Sequence, residues 1–221
     1  MIEVGVGGKV SVGEAEVSRD SERVYVKDRY QEASYIVSKE SRVVLKPTPP
    51  LNVPLRITEY LLLQFQEPIL INKNKNMNFW VKAPYELAVL ADDTVLTYLT
   101  PFKVKHTLHG EIIGGTICRY FLTSTYFRRP SKGSEALVRI SIIARNTALM
   151  DGIVLPLSNV KIYVSNGRVF YNVVRVTVNK GVKVELLNEA PVPGATAIDT
   201  SLGNVGKFRS YSESYSWLWG W

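Results

Sequence analysis

The chain has 221 residues, 46 % of them hydrophobic and 21 % charged, enough apolar material for a buried core; this excludes global disorder. The formal net charge is +7, which favours anionic partners over cationic ones. A single cysteine, Cys118, excludes an intrachain disulfide.

The N-terminus, Met1-Ile2-Glu3-Val4-Gly5, lacks the charged-then-apolar order of a secretory signal. No apolar run has the length of a membrane span, since Leu61-Leu62-Leu63 is stopped by Gln64. The expected address is therefore the cytoplasm, with no transmembrane segment. β-Branched and aromatic residues recur in short runs between turn signals, and no long window has helical spacing. The expected fold is all-β, an antiparallel β-sandwich of many short strands with little helix.

In chain order, strands are expected at 23–27, 34–37, 42–46, 56–65, 69–71, 77–82, 86–90, 94–99, 116–122 and 136–145. Asp92-Asp93 suits a hairpin turn between two of them. Pro47-Thr48-Pro49-Pro50 supplies few ladder donors and marks the internal boundary. Residues 1–50 are read as an N-terminal β portion that either shares the core or has its own, and 51–189 as the main β-sandwich. A three-stranded meander spans 160–187, with Ser165-Asn166-Gly167 as one turn and Asn179-Lys180-Gly181 as the next. Residues 190–221 form a loop-rich segment ending in an aromatic tail with Tyr215, Trp217, Trp219 and Trp221. That tail either caps an open end of the fold or docks on another subunit, a partner or a membrane interface.

Charge is unevenly placed. Residues 1–50 hold eight basic and eight acidic side chains, so they contribute nothing to the net charge. Between 101 and 132, Lys103, Lys105, Arg119, Arg128, Arg129 and Lys132 face one acid, Glu111. Such a cluster fits nucleic acid, a phosphate ligand or an acidic protein surface, and Tyr120, Tyr126 and Phe127 offer rings for stacking if exposed. The competing reading is that these charges guard sheet edges and are scattered in space.

His106 and His109 are weak metal candidates. Two histidines supply two ligands where zinc needs three or four, and on a strand they would face opposite ways. Cys118 alternates with apolar neighbours and reads as a buried thiol. Gly5-Val6-Gly7-Gly8-Lys9 and Gly110 to Thr116 carry turn glycines but match no phosphate loop. No catalytic residue and no cofactor is expected. A non-catalytic binding module for an anionic partner is the leading reading. The alternatives are a homo-oligomer assembled through edges and the aromatic tail, or an enzyme with a site around His106, His109 and Glu111.

The strings Phe79-Trp80-Val81-Lys82-Ala83-Pro84-Tyr85-Glu86-Leu87, Cys118-Arg119-Tyr120-Phe121, Tyr126-Phe127-Arg128-Arg129-Pro130 and Val138 to Thr147 stand out along the chain. In them the body from Val53 to Val192 resembles an archaeal family, domain of unknown function 432. The resemblance implies an archaeal origin and a cytosolic setting, and it brings no catalytic residues. Scarcity of glutamine, with Gln31, Gln64 and Gln66 the full set, fits a thermophile.

Overall fold

The structure is a computed structural model that describes residues 1–52, 57–110 and 114–199. In chain order the strands are β1 (Ile2–Glu3), β2 (Lys9–Val12), β3 (Ala15–Arg19), β4 (Arg23–Lys27), β5 (Glu32–Ile36), β6 (Val43–Thr48), β7 (Tyr60–Ile71), β8 (Asn76–Ala83), β9 (Glu86–Ala91) and β10 (Thr94–Leu99). There follow β11 (His106–His109), β12 (Thr116–Thr123), β13 (Thr125–Tyr126), β14 (Ala136–Ala144), β15 (Ala148–Pro156), β16 (Ile162–Ser165), β17 (Arg168–Tyr171), β18 (Val174–Val178), β19 (Val182–Leu186) and β20 (Thr196–Ile198). One turn of 3₁₀ helix, Leu157–Asn159, is the sole helical element among the described residues. The fold is all-β.

The strands form four sheets among the described residues. An N-terminal meander has the order β2-β3-β4-β5, and a second sheet the order β1-β6-β9-β10. The third runs β11-β12-β7-β15, and the fourth, of eight strands, is built around β8 and β14. Alternation in the sequence sets which face is buried. Ala15 and Val17 of β3 and Val24 and Val26 of β4 point inward, while Glu16, Tyr25 and Lys27 do not. On β8 and β14 the inward residues sit opposite one another, Val81 against Val138 and Phe79 against Ile140. Phe65 of β7 meets Phe79 edge to face at 5.7 Å, joining the third sheet to the fourth. One apolar cluster draws side chains from all four sheets. Each fully buried Leu, Ile, Val or Phe contributes about 1.5–3 kcal/mol.

The hairpin turns follow the sequence. Asp92 (φ 53°) and Asp93 join β9 to β10, and Asn166 (φ 48°) with Gly167 (φ 72°) joins β16 to β17. Both central residues of the second turn have positive φ, as a type I′ turn requires. The Pro47–Pro50 run begins inside β6, where Pro47 and Thr48 pair with Leu87 and Glu86. The runs expected at 56–65 and 69–71 are one strand, β7. Its ladder to β15 shifts register between Met150 and Gly152, and Pro68 lies in that irregular stretch, where no ladder donor is asked of it.

The run from 168 to 178 differs from a simple central meander strand. It divides into β17 and β18, both parallel to β14, while β16 pairs with β17 and β19 with β18. The break is held by Asn172, which is fully buried. Its Oδ1 accepts from Lys161 N at 3.1 Å, and its Nδ2 donates to Leu187 O at 3.0 Å and Asn159 O at 3.4 Å. A buried amide with these partners fills the gap between two hairpins that backbone pairing leaves open.

Candidate anion-binding cleft

The segment 100–105, between β10 and β11, carries Lys103 and Lys105, and the N-terminal meander fixes its path. Asp28, in the β4–β5 turn, accepts from Tyr30 N at 2.7 Å and Gln31 N at 2.9 Å through Oδ1. Its Oδ2 accepts from Thr100 N at 2.8 Å. Tyr30 Oη accepts from Val104 N at 2.9 Å, and Gln31 donates to the Tyr98 carbonyl. The β2–β3 turn closes on the same segment, with Glu14 N donating to Pro101 O at 2.8 Å. Gly13 opens that turn at φ 55°, and a Cβ there would lie 2.3 Å from the Pro101 carbonyl oxygen. Only glycine permits this approach.

Two adjoining hollows result, sharing Gly13, Ser134 and Glu135 in their walls. The larger, about 450 Å³, is lined by Lys103, Lys105, Phe102, Tyr120 and Phe121. The smaller, about 240 Å³, is lined by Tyr85 and Arg168 among others. Tyr85 and Phe102 pack edge to face at 5.4 Å, so one ring contact links the two walls.

The electrostatics of the cleft are asymmetric. Each carboxylate in the lining is already held by a cation: Glu14 by Arg29 at 2.7 and 3.0 Å, Glu135 by Lys82 at 3.2 Å. The hydrogen bond from Arg29 keeps the Glu14 carboxyl below its ordinary range, with Lys103 adding to the effect. Lys103, Lys105 and Arg168 remain as cations of the lining that no carboxylate pairs with among the described residues. Arg168 donates through Nη1 to Ser131 O at 2.6 Å, while its buried Nη2 has no hydrogen-bond partner among the described residues. Tyr85 is pushed up to about 12, chiefly by burial and then by Glu135, so it stays a neutral phenol able to donate.

Of the basic residues singled out from sequence, the structure brings Lys103 and Lys105 together in this cleft. Arg119 sits behind them, 5 % exposed, its Nη2 3.1 Å from Oε1 of the fully buried Glu86. Burial pulls the Arg119 pKa down, while Glu86 raises it. Glu86 also accepts from Asn52 N at 2.9 Å and Asn52 Nδ2 at 3.2 Å. Arg119 reaches only a void of about 10 Å³ beneath Lys103 and Lys105. Arg128, Arg129 and Lys132 lie on the loop from β13 to β14, whose last residues, Ser134 and Glu135, form the shared wall. Phe127 on that loop is 73 % exposed, and Tyr126 is half-buried opposite Trp80.

His106 and His109 lie at the two ends of β11, opposite Arg119 and Thr116, and strand geometry turns them to different faces. Glu111 and the tail residues Tyr215, Trp217, Trp219 and Trp221 lie outside the described residues. Cys118 is buried, and burial pushes its thiol pKa up, the direction of an inert thiol. Sequence reasoning missed Glu86, Tyr85, Glu135, Gly13 and Arg168. The one signal for Glu86 was an acid opening the apolar run Leu87-Ala88-Val89-Leu90.

The fold and the cleft define an all-β protein with a basic, aromatic-lined groove at the junction of its N-terminal meander with the body. The chain belongs to the family described as protein of unknown function (DUF432), whose model matches residues 5–213. That match takes in the N-terminal meander as well as the body from Val53 to Val192. Comparison with curated proteins and with solved structures gave no match. No helix among the described residues is long and apolar enough to cross a membrane.

Proposed function

We propose that the protein is a binding module for an anionic ligand, received in the cleft between the β2–β3 turn and the loop that ends at Glu135. The observation that carries this reading is the pairing of both lining carboxylates, Glu14 with Arg29 and Glu135 with Lys82, beside Lys103, Lys105 and Arg168. A groove whose acids are already engaged has a positive potential that a phosphate or carboxylate meets. Arg168 adds its positive charge from the wall, and Lys103 and Lys105 act as exposed point charges. Arg128, Arg129 and Lys132 extend the basic rim along the neighbouring loop. An archaeal, cytoplasmic setting belongs to this reading and is supported by the family resemblance.

The test is a titration of the full chain with inorganic phosphate and with pyrophosphate at low and high salt. Binding that weakens with salt, and that Lys103→Ala with Lys105→Ala reduces, supports the proposal. Absence of binding at low salt removes it.

A further inference from the structure

We infer that the outer face of the eight-stranded sheet binds single-stranded nucleic acid, with unpaired bases on Trp80 and Tyr126 and backbone phosphates on Arg139 and Arg175. This is a second site, on a different surface from the cleft, and it does not rest on the anion-binding reading. The ladder registers place its side chains together. Tyr126 on β13 pairs with Trp80 on β8, and Trp80 pairs with Arg139 on β14. In the next row Asn78 pairs with Ser141, and Ser141 with Arg175 on β18. Residues paired across a ladder share a face, and the strand neighbours Phe79, Val81, Val138 and Ile140 are buried in the core on the other side. Both rows therefore point outward from one surface. Asn78 and Arg139 are exposed, while Trp80, Tyr126 and Arg175 are half-buried. At one end of the face Val192 packs with Leu137, Tyr163 and Phe170. Trp80 borders that cluster, its ring 6.3 Å from Phe170, so the indole is held in place before a ligand arrives and loses little freedom on binding.

Charge decides what fits the open part. Neither Arg139 nor Arg175 is in a salt bridge among the described residues, and Glu185, opposite Arg175, is held by Lys183 at 2.6 Å. Arg128 and Arg129, both exposed, follow Tyr126 at the edge of the sheet. A second copy laid face to face would set these arginines against their own counterparts. The chain after residue 199 has Lys207 and Arg209 against Glu213, so charge does not draw it here. A polyanion is drawn, and two rings between the cations select one that carries flat groups along its charged backbone. Unpaired bases are such groups, because every base has a π face whatever the sequence. In a duplex those faces are stacked on one another, and this favours the single strand.

The experiment is a fluorescence-anisotropy titration of the full chain with labelled oligothymidylate, oligouridylate, a DNA duplex of equal length and polyglutamate, at low and high salt. The two single strands should bind more tightly than the duplex and polyglutamate. Preference between them separates DNA from RNA, and either preference supports the inference. Tyr126→Leu should weaken single-strand binding by about 5-fold or more, the lower end of what base–aromatic stacking supplies. Arg139→Ala should flatten the slope of log affinity against log salt by about 0.7. If Tyr126→Leu melts early, Arg139→Ala, at an exposed position, keeps the test intact. Equal or tighter binding of the duplex or of polyglutamate overturns the inference. Single-strand binding that both changes leave intact overturns it too, and leaves the cleft reading standing. So does the absence of single-strand binding at low salt, whatever inorganic phosphate does at the cleft.

Discussion

Arginine occurs in two settings around the same groove. Arg119 is sealed beneath it, bound to Glu86, which Asn52 also holds. Arg168 stands in the wall with a backbone carbonyl as its described acceptor. The difference is one of desolvation. A buried charge persists only if a countercharge and further hydrogen bonds replace water, and Glu86 with Asn52 does this for Arg119. Arg168 is only half-buried, so its charge stays partly solvated and adds to the potential of the groove. Identical chemistry is therefore structural in one place and, in the proposed reading, part of the binding surface in the other.

The largest effect is expected where that buried pair is broken. Glu86→Ala leaves Arg119 charged and buried, and should cost about 3–5 kcal/mol in a denaturant titration. The double change Glu86→Leu with Arg119→Met removes both charges and should recover much of the loss. A cost below about 1 kcal/mol for Glu86→Ala would sink the contrast between the two arginines.

Next in size is Gly13→Ala. The added Cβ meets the Pro101 carbonyl and the backbone has positive φ, so a penalty of about 1–3 kcal/mol is expected. The turn must also retreat from the segment that bears Lys103 and Lys105, so phosphate binding should weaken with it. Full binding by a destabilised Gly13→Ala protein would show that the turn does not shape the cleft.

Lys103→Ala with Lys105→Ala should change stability by no more than about 0.5 kcal/mol, because both side chains are exposed. Binding is where they act. If both lysines neutralise phosphates of a single strand, the slope of log affinity against log salt should flatten by about 1.4, which is about 0.7 for each lysine removed. An unchanged slope would move the anion site away from these lysines.

The sequence made one side of this comparison visible and hid the other. Turn chemistry is local, so Asp92-Asp93 and Asn166-Gly167 could be read directly, and so could the alternation of β3, β4, β8 and β14. Lys103 and Lys105 were also legible, as cations in a stretch poor in acids. Arg119 was grouped with them because nothing near it in the chain announces Glu86, which lies on β9 in another sheet. Arg168 was invisible for the opposite reason. It follows a hairpin turn and looks like an ordinary strand-end charge, and only the loop through Ser131 and Glu135 makes it part of a wall. The split at Asn172 was hidden likewise, since its partners Lys161 and Leu187 belong to two separate hairpins.

The smallest expected effect uses Arg119 as a probe of its own surroundings. His106 pairs with it across the β11–β12 ladder, and partial desolvation, then the Arg119 charge, lowers the imidazole pKa below 6.5. With the folded value depressed, the unfolded chain binds the proton more readily than the native one between the two values. Stability should therefore fall as pH drops through about 6.5, with the loss complete once the folded value is passed. His106→Gln should remove this part of the acid sensitivity while leaving stability near pH ~8 little changed. The effect is small because His106 is exposed and water screens the repulsion. Denaturant titrations of both proteins at about pH 5.5 and about pH 8 measure it. If the two lose stability equally on acidification, neither the partial burial of His106 nor the Arg119 charge across the ladder weighs on stability. That outcome would make the separation between the sealed arginine and the open cleft sharper still.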